Sequence, residues 1–297
     1  MSAPPRPLAQ VRILSLALNL PGPAALMRCR RMGATCTKVE PPSGDPMRHY
    51  NAPAYAELHE GVKVLVADLK SDEGQAAVHR ELARSDVLLT SFRPSAMKKL
   101  GLDWPQLHSR YPSLCQVAIV GGPGEAAEVP GHDLTYLAEH GLVPGLELPA
   151  TLFADMAGSL MASEAVLQAA LLQAERYAGS GEVHPKGRYF EVALSDAAAY
   201  LALPRRVGLT RPDGAVGGAH AGYRVYPCRD GRVAVAALEP HFAAALCAQA
   251  GVAAPDFQAM FAPGTHEALG RFFAGRTREE LDRLAAEKDL PLQTLAD

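Results

Sequence analysis

Three side chains of the sequence are candidates for proton transfer: His132, Asp155 and Glu239. Asp155 lies in the segment LFADMAGS, between apolar residues and small ones. A carboxylate is unusual in such a place unless it caps a helix or faces a cavity. The local pattern by itself favours the helix cap, with catalysis as the alternative.

His132 lies in PGHDLTYLAEHGL, where Pro130 and Gly131 form a turn ahead of a packed segment. A histidine at the start of a helix can act as a general base, because small changes in environment move an imidazole pKa across the neutral range. A solvated or capping histidine is the more ordinary interpretation. Glu239 ends a strand just before Pro240, where an exposed carboxylate is common. Spacing alone therefore assigns none of the three a role.

Several cations follow predicted strands or occupy the first predicted helix. Basic side chains at one edge of a parallel sheet can collect the phosphates of a nucleotide. Most charged residues on an α/β surface are only solvated, so two interpretations stay open here as well. The residues concerned are Arg28, Arg30 and Arg31 on the helix, Lys38 near the end of a strand, and Arg48, Lys70 and Arg93 after strands.

The fingerprints of common cofactors are missing from the sequence. GGPG at 121–124 lacks the G-x-G-x-x-G order, and there is no G-x-x-x-x-G-K-[ST] or G-x-S-x-G motif. No pair of histidines or cysteines has metal-ligand spacing on a helix, so we expect no metal. The five cysteines are dispersed without a C-x-x-C pair, which favours a reduced, cytoplasmic compartment.

The composition is that of a globular protein, with 48% hydrophobic and 21% charged residues over 297 positions. A formal net charge of -3 gives no whole-chain basic field, so we expect no nucleic-acid partner. The apolar run near the N-terminus is too short for a membrane span, and a proline-rich start replaces the basic region of a signal peptide. We therefore expect neither membrane association nor a targeting segment.

Alternating strands and helices must position these side chains. Buried strands are predicted for VRILSLAL, TCTKVE, VKVLVADL, DVLLTSF and SLCQVAIVGG, with helical stretches between them, one of which Ser71 caps. Repeated strand–helix–strand units of this kind build a parallel, doubly wound α/β sheet. Ligands bind such a sheet where its strands end in loops.

The second half of the sequence changes character twice. A long alanine-rich helix is predicted over 150–178. Beyond Pro204 the sequence is rich in glycine and basic residues, and YRVYPCRDGRVAVAAL then predicts a β-hairpin that turns at 229–231. We therefore expect a large domain over 1–203, a linker over 204–220 and a small α+β domain over 221–297.

Six segments occur in one order along the chain: LPGPAALMRCRRMGATCTKVEPPSGDPMR, VLVADLKSDEG, DVLLTSFRPSAMKKLGLDW, PGHDLTYLAEHGL, LFADMAGSLMA and AHAGYRVYPCRDGRVAVAALEPHF. Together they resemble the class III CoA-transferase superfamily (CaiB/BaiF type), which includes the α-methylacyl-CoA racemases. The resemblance implies a Rossmann-like large domain, a smaller domain, and two ring-shaped subunits interlocked in a homodimer. It also implies coenzyme A as part of an acyl-CoA substrate, with no prosthetic group.

The resemblance also implies a role for each candidate residue. Asp155, in FADMAG, matches the catalytic aspartate, which attacks the thioester carbonyl in the transferases and is an acid or base in the racemases. That reverses the local interpretation of this residue. His132 and Glu239 match the histidine of GHD and the glutamate of EP in the racemase branch. Motifs that contact CoA in relatives contain Lys38, Leu69, Lys70, Phe92 and Arg93.

Three functions follow from the resemblance. The favoured one is an α-methylacyl-CoA racemase or epimerase, in which His132 and Asp155 remove and return the α-proton from opposite faces. The alternative is a CoA-transferase that works through an aspartyl-CoA intermediate. A third is a truncated CoA-binding protein without catalysis, because the chain ends at LPLQTLAD where relatives continue with a segment that returns to the large domain.

Overall fold

The computed structural model describes residues 5–179, 186–253 and 256–296. The chain divides into two compact units, Met1–Ala202 and Leu203–Asp297. None of the described helices combines the length and the apolarity that a membrane span needs.

The first unit is built on a six-stranded sheet in the order β3-β2-β1-β4-β5-β6, and all neighbouring strands are parallel. The chain winds outward from β1 in one direction and from β4 in the other. A crevice therefore opens beyond the carboxyl ends of these two strands, at the point where the winding reverses. The strands are β1 (Arg12–Ser15), β2 (Thr35–Glu40), β3 (Lys63–Val66), β4 (Val87–Thr90), β5 (Cys115–Val120) and β6 (Tyr189–Ala193).

Helices cover both faces of this sheet. Ile13 and Val117 face a core that contains Leu26 from the first helix and Val166 from the long eighth one. Side chains of the other face, such as Leu88, join a core with the fourth to sixth helices. The helices are α1 (Pro21–Arg31), α2 (Met47–Tyr50), α3 (Ala52–Leu58), α4 (Asp72–Leu82), α5 (Pro94–Lys99), α6 (Trp104–Arg110), α7 (Asp133–Glu139), α8 (Phe153–Gly179) and α9 (Leu194–Leu201).

The second unit has an antiparallel sheet in the order β7-β8-β9. Its core joins the inward face of the hairpin, including Val233 and Val235, to Leu246 and Phe273 of the covering helices. The elements are α10 (Leu203–Arg206), β7 (Tyr223–Cys228), β8 (Gly231–Ala236), α11 (Pro240–Gln249), α12 (Pro263–Ala274), α13 (Arg278–Lys288) and β9 (Leu292–Leu295).

The parallel α/β sheet predicted from the sequence is confirmed, as are the hairpin and the cap of α4, where the Ser71 hydroxyl accepts the Gly74 N–H at 3.1 Å. Four of the predicted strands of this sheet, β1, β3, β4 and β5, end earlier than expected. β4 stops at Thr90, because the chain turns there towards Pro94 at the start of α5. Residues 91–93, which follow β4, lie at the crevice.

Candidate active site

A cavity of about 170 Å³ lies beyond the carboxyl ends of β1, β4 and β5, at the reversal of the winding. It joins the loop after β1 to the loop after β4 and to the first turn of α8. The cavity brings together four of the residues predicted from the sequence: His132, Asp155, Phe92 and Arg93. It is also lined by Leu18, Asn19, Pro21, Ser91, Ile119, Val120, Gly121, Ala127, Val129, Gly131, Tyr136 and Leu194.

Asp155 is the third residue of α8 and is partly buried. Its backbone N–H donates to Asp133 Oδ1 at 2.9 Å, so a neighbouring helix supplies the group that caps α8 here. The Asp155 carboxylate accepts no hydrogen bond from the described residues. The cap that its local sequence favours is therefore wrong, and its side chain faces the cavity instead.

Burial, and then the nearby negative charge of Asp133, together raise the pKa of the Asp155 carboxyl from 3.8 to about 7. Asp133 is itself 4% exposed. A carboxylate in the first turn of a helix is ordinarily stabilised by the helix dipole. Desolvation and the like charge outweigh that effect, so Asp155 can hold or release a proton near neutral pH.

His132 is the residue before α7 and lines the same cavity. Its backbone N–H donates to Thr135 Oγ1 at 3.0 Å, and the Thr135 hydroxyl donates to the His132 carbonyl at 2.7 Å. Because Thr135 completes this turn, the backbone that carries the imidazole is fixed at the rim of the cavity. The next residue, Asp133, reaches the N-terminus of α8, so one short turn positions both His132 and Asp155.

Tyr136 forms part of the cavity wall and was not singled out by its sequence context. A methyl group on Gly131 would come within 2.6 Å of Tyr136 Cε1, and one on Gly121 within 2.5 Å of its hydroxyl oxygen. The ring therefore needs glycine on both sides. Burial, and then the charge of Asp155, raise the pKa of Tyr136, so its hydroxyl stays protonated near neutral pH.

A second cavity, of about 160 Å³, holds three of the residues that the resemblance places near CoA: Leu69, Lys70 and Phe92. It lies beyond β2 and β3, and its other lining is largely apolar. Phe92 and Leu18 line both this cavity and that of Asp155. The two cavities are therefore neighbours along the carboxyl edge of the sheet, with Arg93 at the first and Lys70 at the second.

Lys38 lies in neither of these two cavities. It is fully buried, and its Nζ lies 2.5 Å from Asp45 Oδ2, 3.2 Å from Glu40 Oε1 and 2.8 Å from His59 Nε2. An ammonium group has three N–H donors, and these three acceptors match them. The structure thus gives Lys38 a scaffold position. The CoA contact that the resemblance implies for Lys38 would require this buried cluster to open.

The acceptors around Lys38 have the composition of a metal site, since Glu40, Asp45 and His59 each offer one ligand atom within 4.8 Å of the others. The lysine ammonium already supplies the positive charge at their centre. Burial, and then the charge of Lys38, lower the pKa of His59. His59 is therefore neutral, with Nδ1 donating to the Tyr55 carbonyl at 2.7 Å and Nε2 accepting from lysine.

This Lys38 cluster, comprising Lys38, Glu40, Asp45 and His59, also holds one wall of the first cavity. The Asp45 carboxylate accepts the backbone N–H of Asn19 at 3.1 Å. Asn19 lines the cavity and has a left-handed backbone, with φ of 64°. That conformation is uncommon outside glycine, so the buried carboxylate helps to keep it. No local pattern in the sequence connects Asn19 with Asp45.

Glu239 belongs to the second unit, where it directly precedes α11 and is exposed. Its assignment to the same site as His132 and Asp155 stays a prediction from the resemblance.

Comparison with known proteins gives a family. The model of CoA-transferase family III matches residues 8–297. A succinyl-CoA–D-citramalate CoA-transferase of Chloroflexus aurantiacus is 38% identical over 40% of this chain and 31% of its own length. A probable fatty acyl-CoA transferase of Mycobacterium tuberculosis is 33% identical over 59% and 49%, respectively. The human alpha-methylacyl-CoA racemase is 29% identical over 78% and 62%. The matches therefore span less than two thirds of these relatives.

Solved structures share the fold. The crystal structure of a CAIB/BAIF family protein from Brucella suis superposes with a TM-score of 0.80 at 22% identity, covering 99% of this chain and 85% of that one. The structure of the mycobacterial protein gives a TM-score of 0.81 at 24% identity, with 99% and 86% covered. At these identities the likeness shows the fold alone.

Proposed function

This chain belongs to CoA-transferase family III, and from that premise we propose that it acts on acyl-CoA thioesters as an α-methylacyl-CoA racemase or epimerase. In this proposal CoA enters as part of the substrate and no prosthetic group takes part. His132 and Asp155 transfer the α-proton, and the cavity with Leu69 and Lys70 receives part of the CoA moiety.

The observation that carries the proposal is the Asp155 carboxyl, whose pKa is raised to about 7, beside His132 on one cavity. A proton-transfer group works best when its pKa lies near the working pH, because both its forms are then populated. The raised value, together with His132 on the same cavity, therefore supports proton transfer by Asp155.

Inversion at the α-carbon proceeds by removal and return of one proton. One group takes the proton from the carbon next to the thioester carbonyl, and the other delivers a proton to the opposite face of the enolate. The enolate oxygen needs a hydrogen-bond donor. The Asp155 N–H is already bonded to Asp133, so the protonated hydroxyl of Tyr136 is the donor that we assign to this step.

The second candidate is transfer of CoA between carboxylic acids, which the names of the transferase relatives support. Asp155 would then attack the thioester carbonyl and release CoA thiolate, forming an acyl anhydride. The thiolate would next attack the aspartyl carbonyl, release the acid and leave an aspartyl-CoA thioester. This scheme requires no proton transfer by His132.

Exchange in heavy water separates the two candidates. With a 2-methylacyl-CoA and no acceptor acid, we expect deuterium at the α-carbon, and we expect His132→Ala to lose most of that exchange. His79→Ala is the matched control, because His79 lies on α4 and lines neither of these two cavities. Acceptor-dependent transfer without exchange, together with a mass adduct on Asp155, would instead establish the transferase. No turnover of either kind would support the non-catalytic hypothesis.

We also propose that the chain forms the homodimer that its family resemblance implies. Apolar side chains are exposed along α8, among them Phe153, Met156, Leu160 and Leu171. Several exposed apolar side chains on one helix commonly mark a protein contact. Analytical ultracentrifugation should give twice the chain mass of 31.5 kDa, and a monomer at micromolar concentration would contradict the dimer.

A further inference from the structure

A third cavity, of about 190 Å³, lies against the face of the sheet that carries Thr90 and Gln116. These two residues stand on the neighbouring strands β4 and β5. Trp104, the first residue of α6, contacts the Tyr189 ring, with the ring centroids 5.9 Å apart, and both line the cavity. The cavity has no part in the mechanism described above.

Two buried polar atoms of this cavity have no hydrogen-bond partner within the described parts of the chain. They are Thr90 Oγ1 and Gln116 Oε1, on side chains that are 0% and 3% exposed. Buried hydroxyl and amide oxygens are nearly always paired, with protein, water or a ligand. A cavity that holds two such atoms is therefore built to receive a polar group.

The size and lining of the cavity define that group. An engineered cavity of about 150 Å³ in another protein binds benzene, so this cavity accommodates a single ring. Phe92, Trp104 and Tyr189 offer aromatic surface to such a ring. A hydroxyl on the ring can donate to Gln116 Oε1 or accept from the Thr90 hydroxyl. Asp103 is also among the lining residues, and a negative charge there disfavours an anion.

We propose that this cavity is a binding subsite for a neutral, ring-sized group that bears a hydroxyl, of which phenol is the simplest example. Its position gives the subsite a role. Phe92 and Val120 line both this cavity and that of Asp155. The group is therefore the far end of the acyl moiety whose α-carbon reacts at Asp155. This second step rests on the proposed function, whereas the binding of phenol does not.

Binding of phenol and benzene to the full chain tests the subsite directly, by calorimetry and by a crystal structure with each ligand. We expect phenol to bind about tenfold more tightly than benzene, the effect of one neutral hydrogen bond. Thr90→Val and Gln116→Leu keep the shape and should each reduce that preference, while Thr35→Val, at an exposed position of β2, should not. Equal affinities, or a cavity that holds only ordered water at saturating phenol, would overturn the subsite.

The acyl assignment has its own test, the heavy-water exchange of 2-(4-hydroxyphenyl)propanoyl-CoA compared with 2-phenylpropanoyl-CoA. We expect the hydroxylated thioester to exchange with about tenfold higher kcat/KM, and Thr90→Val to remove the difference. Exchange of both at equal rates would overturn the acyl assignment. Exchange of neither, with phenol still bound, would contradict the proposed function and leave the subsite intact.

Discussion

Two groups of buried acids at one edge of the sheet differ in what surrounds them. In the Lys38 cluster, Glu40 and Asp45 share one ammonium group. At the first cavity, Asp155 and Asp133 lie side by side, and the described residues place no cation in hydrogen-bond contact with either. Where the sequence supplies the cation, the acids act as scaffold. Where no cation is in contact with the acids, one of them, Asp155, can keep a proton near neutral pH.

The two groups are also physically connected. Asp45 accepts the Asn19 N–H, and Asn19 lines the cavity of Asp155. The neutralised acids thus fix the wall of the cavity in which the other acid titrates. A stable scaffold and a proton-transfer group are obtained from the same residue type, and the difference between them is the presence of Lys38.

Asp155→Asn should have the largest effect on the difference between the two acid groups, because it keeps the shape of the side chain and removes its titratable carboxyl. We expect α-proton exchange to fall by about 10²–10⁴-fold, the usual contribution of a general acid or base. We also expect the variant to be the more stable protein at pH 8, by up to about 3 kcal/mol after allowance for partial exposure.

The sign of that stability change follows from the raised pKa of Asp155. Between 3.8 and about 7 the folded chain binds more protons at this carboxyl than the unfolded chain does. Native stability therefore falls as the pH rises through this window, whereas the amide variant has no such loss. Thermal unfolding of both proteins at pH 4 and pH 8 measures this difference in stability. If Asp155→Asn were no more stable than the native protein at pH 8, the raised pKa of Asp155 would be contradicted.

Removal of the cation from the scaffold should have the next largest effect. Lys38→Met leaves Glu40 and Asp45 buried together, so we expect a loss of about 3–5 kcal/mol in the free energy of unfolding. Arg271→Met is the matched control. Its partner Glu267 lies 3.8 Å away and both side chains are more than two thirds exposed, at 74% and 70%, so the cost should be below about 1 kcal/mol. Urea unfolding measures the loss in both variants. Equal losses in the free energy of unfolding would contradict the distinction between the two acid groups.

A smaller effect is expected where the cavity wall is tightly packed. In Gly131→Ala the new methyl group would meet Tyr136 Cε1 at 2.6 Å, so we expect a loss of about 1–3 kcal/mol from overpacking. Gly145→Ala is the control, because a methyl group there meets nothing within 4 Å. Chemical denaturation of the two variants checks the difference, and identical stabilities would show that the ring is free to move.

The mildest change, Asp133→Asn, sharpens the comparison by removing one charge beside Asp155. The amide oxygen can still accept the Asp155 N–H. Since the charge of Asp133 raises the pKa of Asp155, the limb of the exchange–pH profile that reports the titration of Asp155 should move to lower pH. A shift to higher pH would mean that Asp133 acts on Asp155 in some other way.

The sheet could be predicted from the sequence because most of its strands are apolar or β-branched runs with helical stretches between them. β9 was not predicted, since Leu292–Leu295 is short and becomes a strand only by pairing with β8. The burial of Lys38 among acids could not be predicted from the sequence either. A lysine near the end of a strand looks the same whether it meets solvent or the acids of distant segments, and Asp45 and His59 come from a loop and from the residue after α3.

The candidate site also contains residues that could be predicted from the sequence and residues that could not. His132 and Asp155 were named from motifs and do share a cavity. The local pattern alone assigned Asp155 to a helix cap, because the residue that takes over the capping, Asp133, lies 22 positions earlier in the chain. Tyr136 was missed for the same physical reason, since only the fold places Gly121 and Gly131 on both sides of its ring.

Direct titration of the Asp155 carboxyl tests the central claim most directly. In protein labelled with ¹³C at aspartate carboxyl carbons, the signal that disappears in Asp155→Asn is followed from pH 3 to pH 9. A midpoint near 7 is the result we expect for an acid that is buried beside Asp133 and lacks a cation. A midpoint near 4 would contradict the account, because Asp155 would then be an ordinary carboxylate in spite of its position.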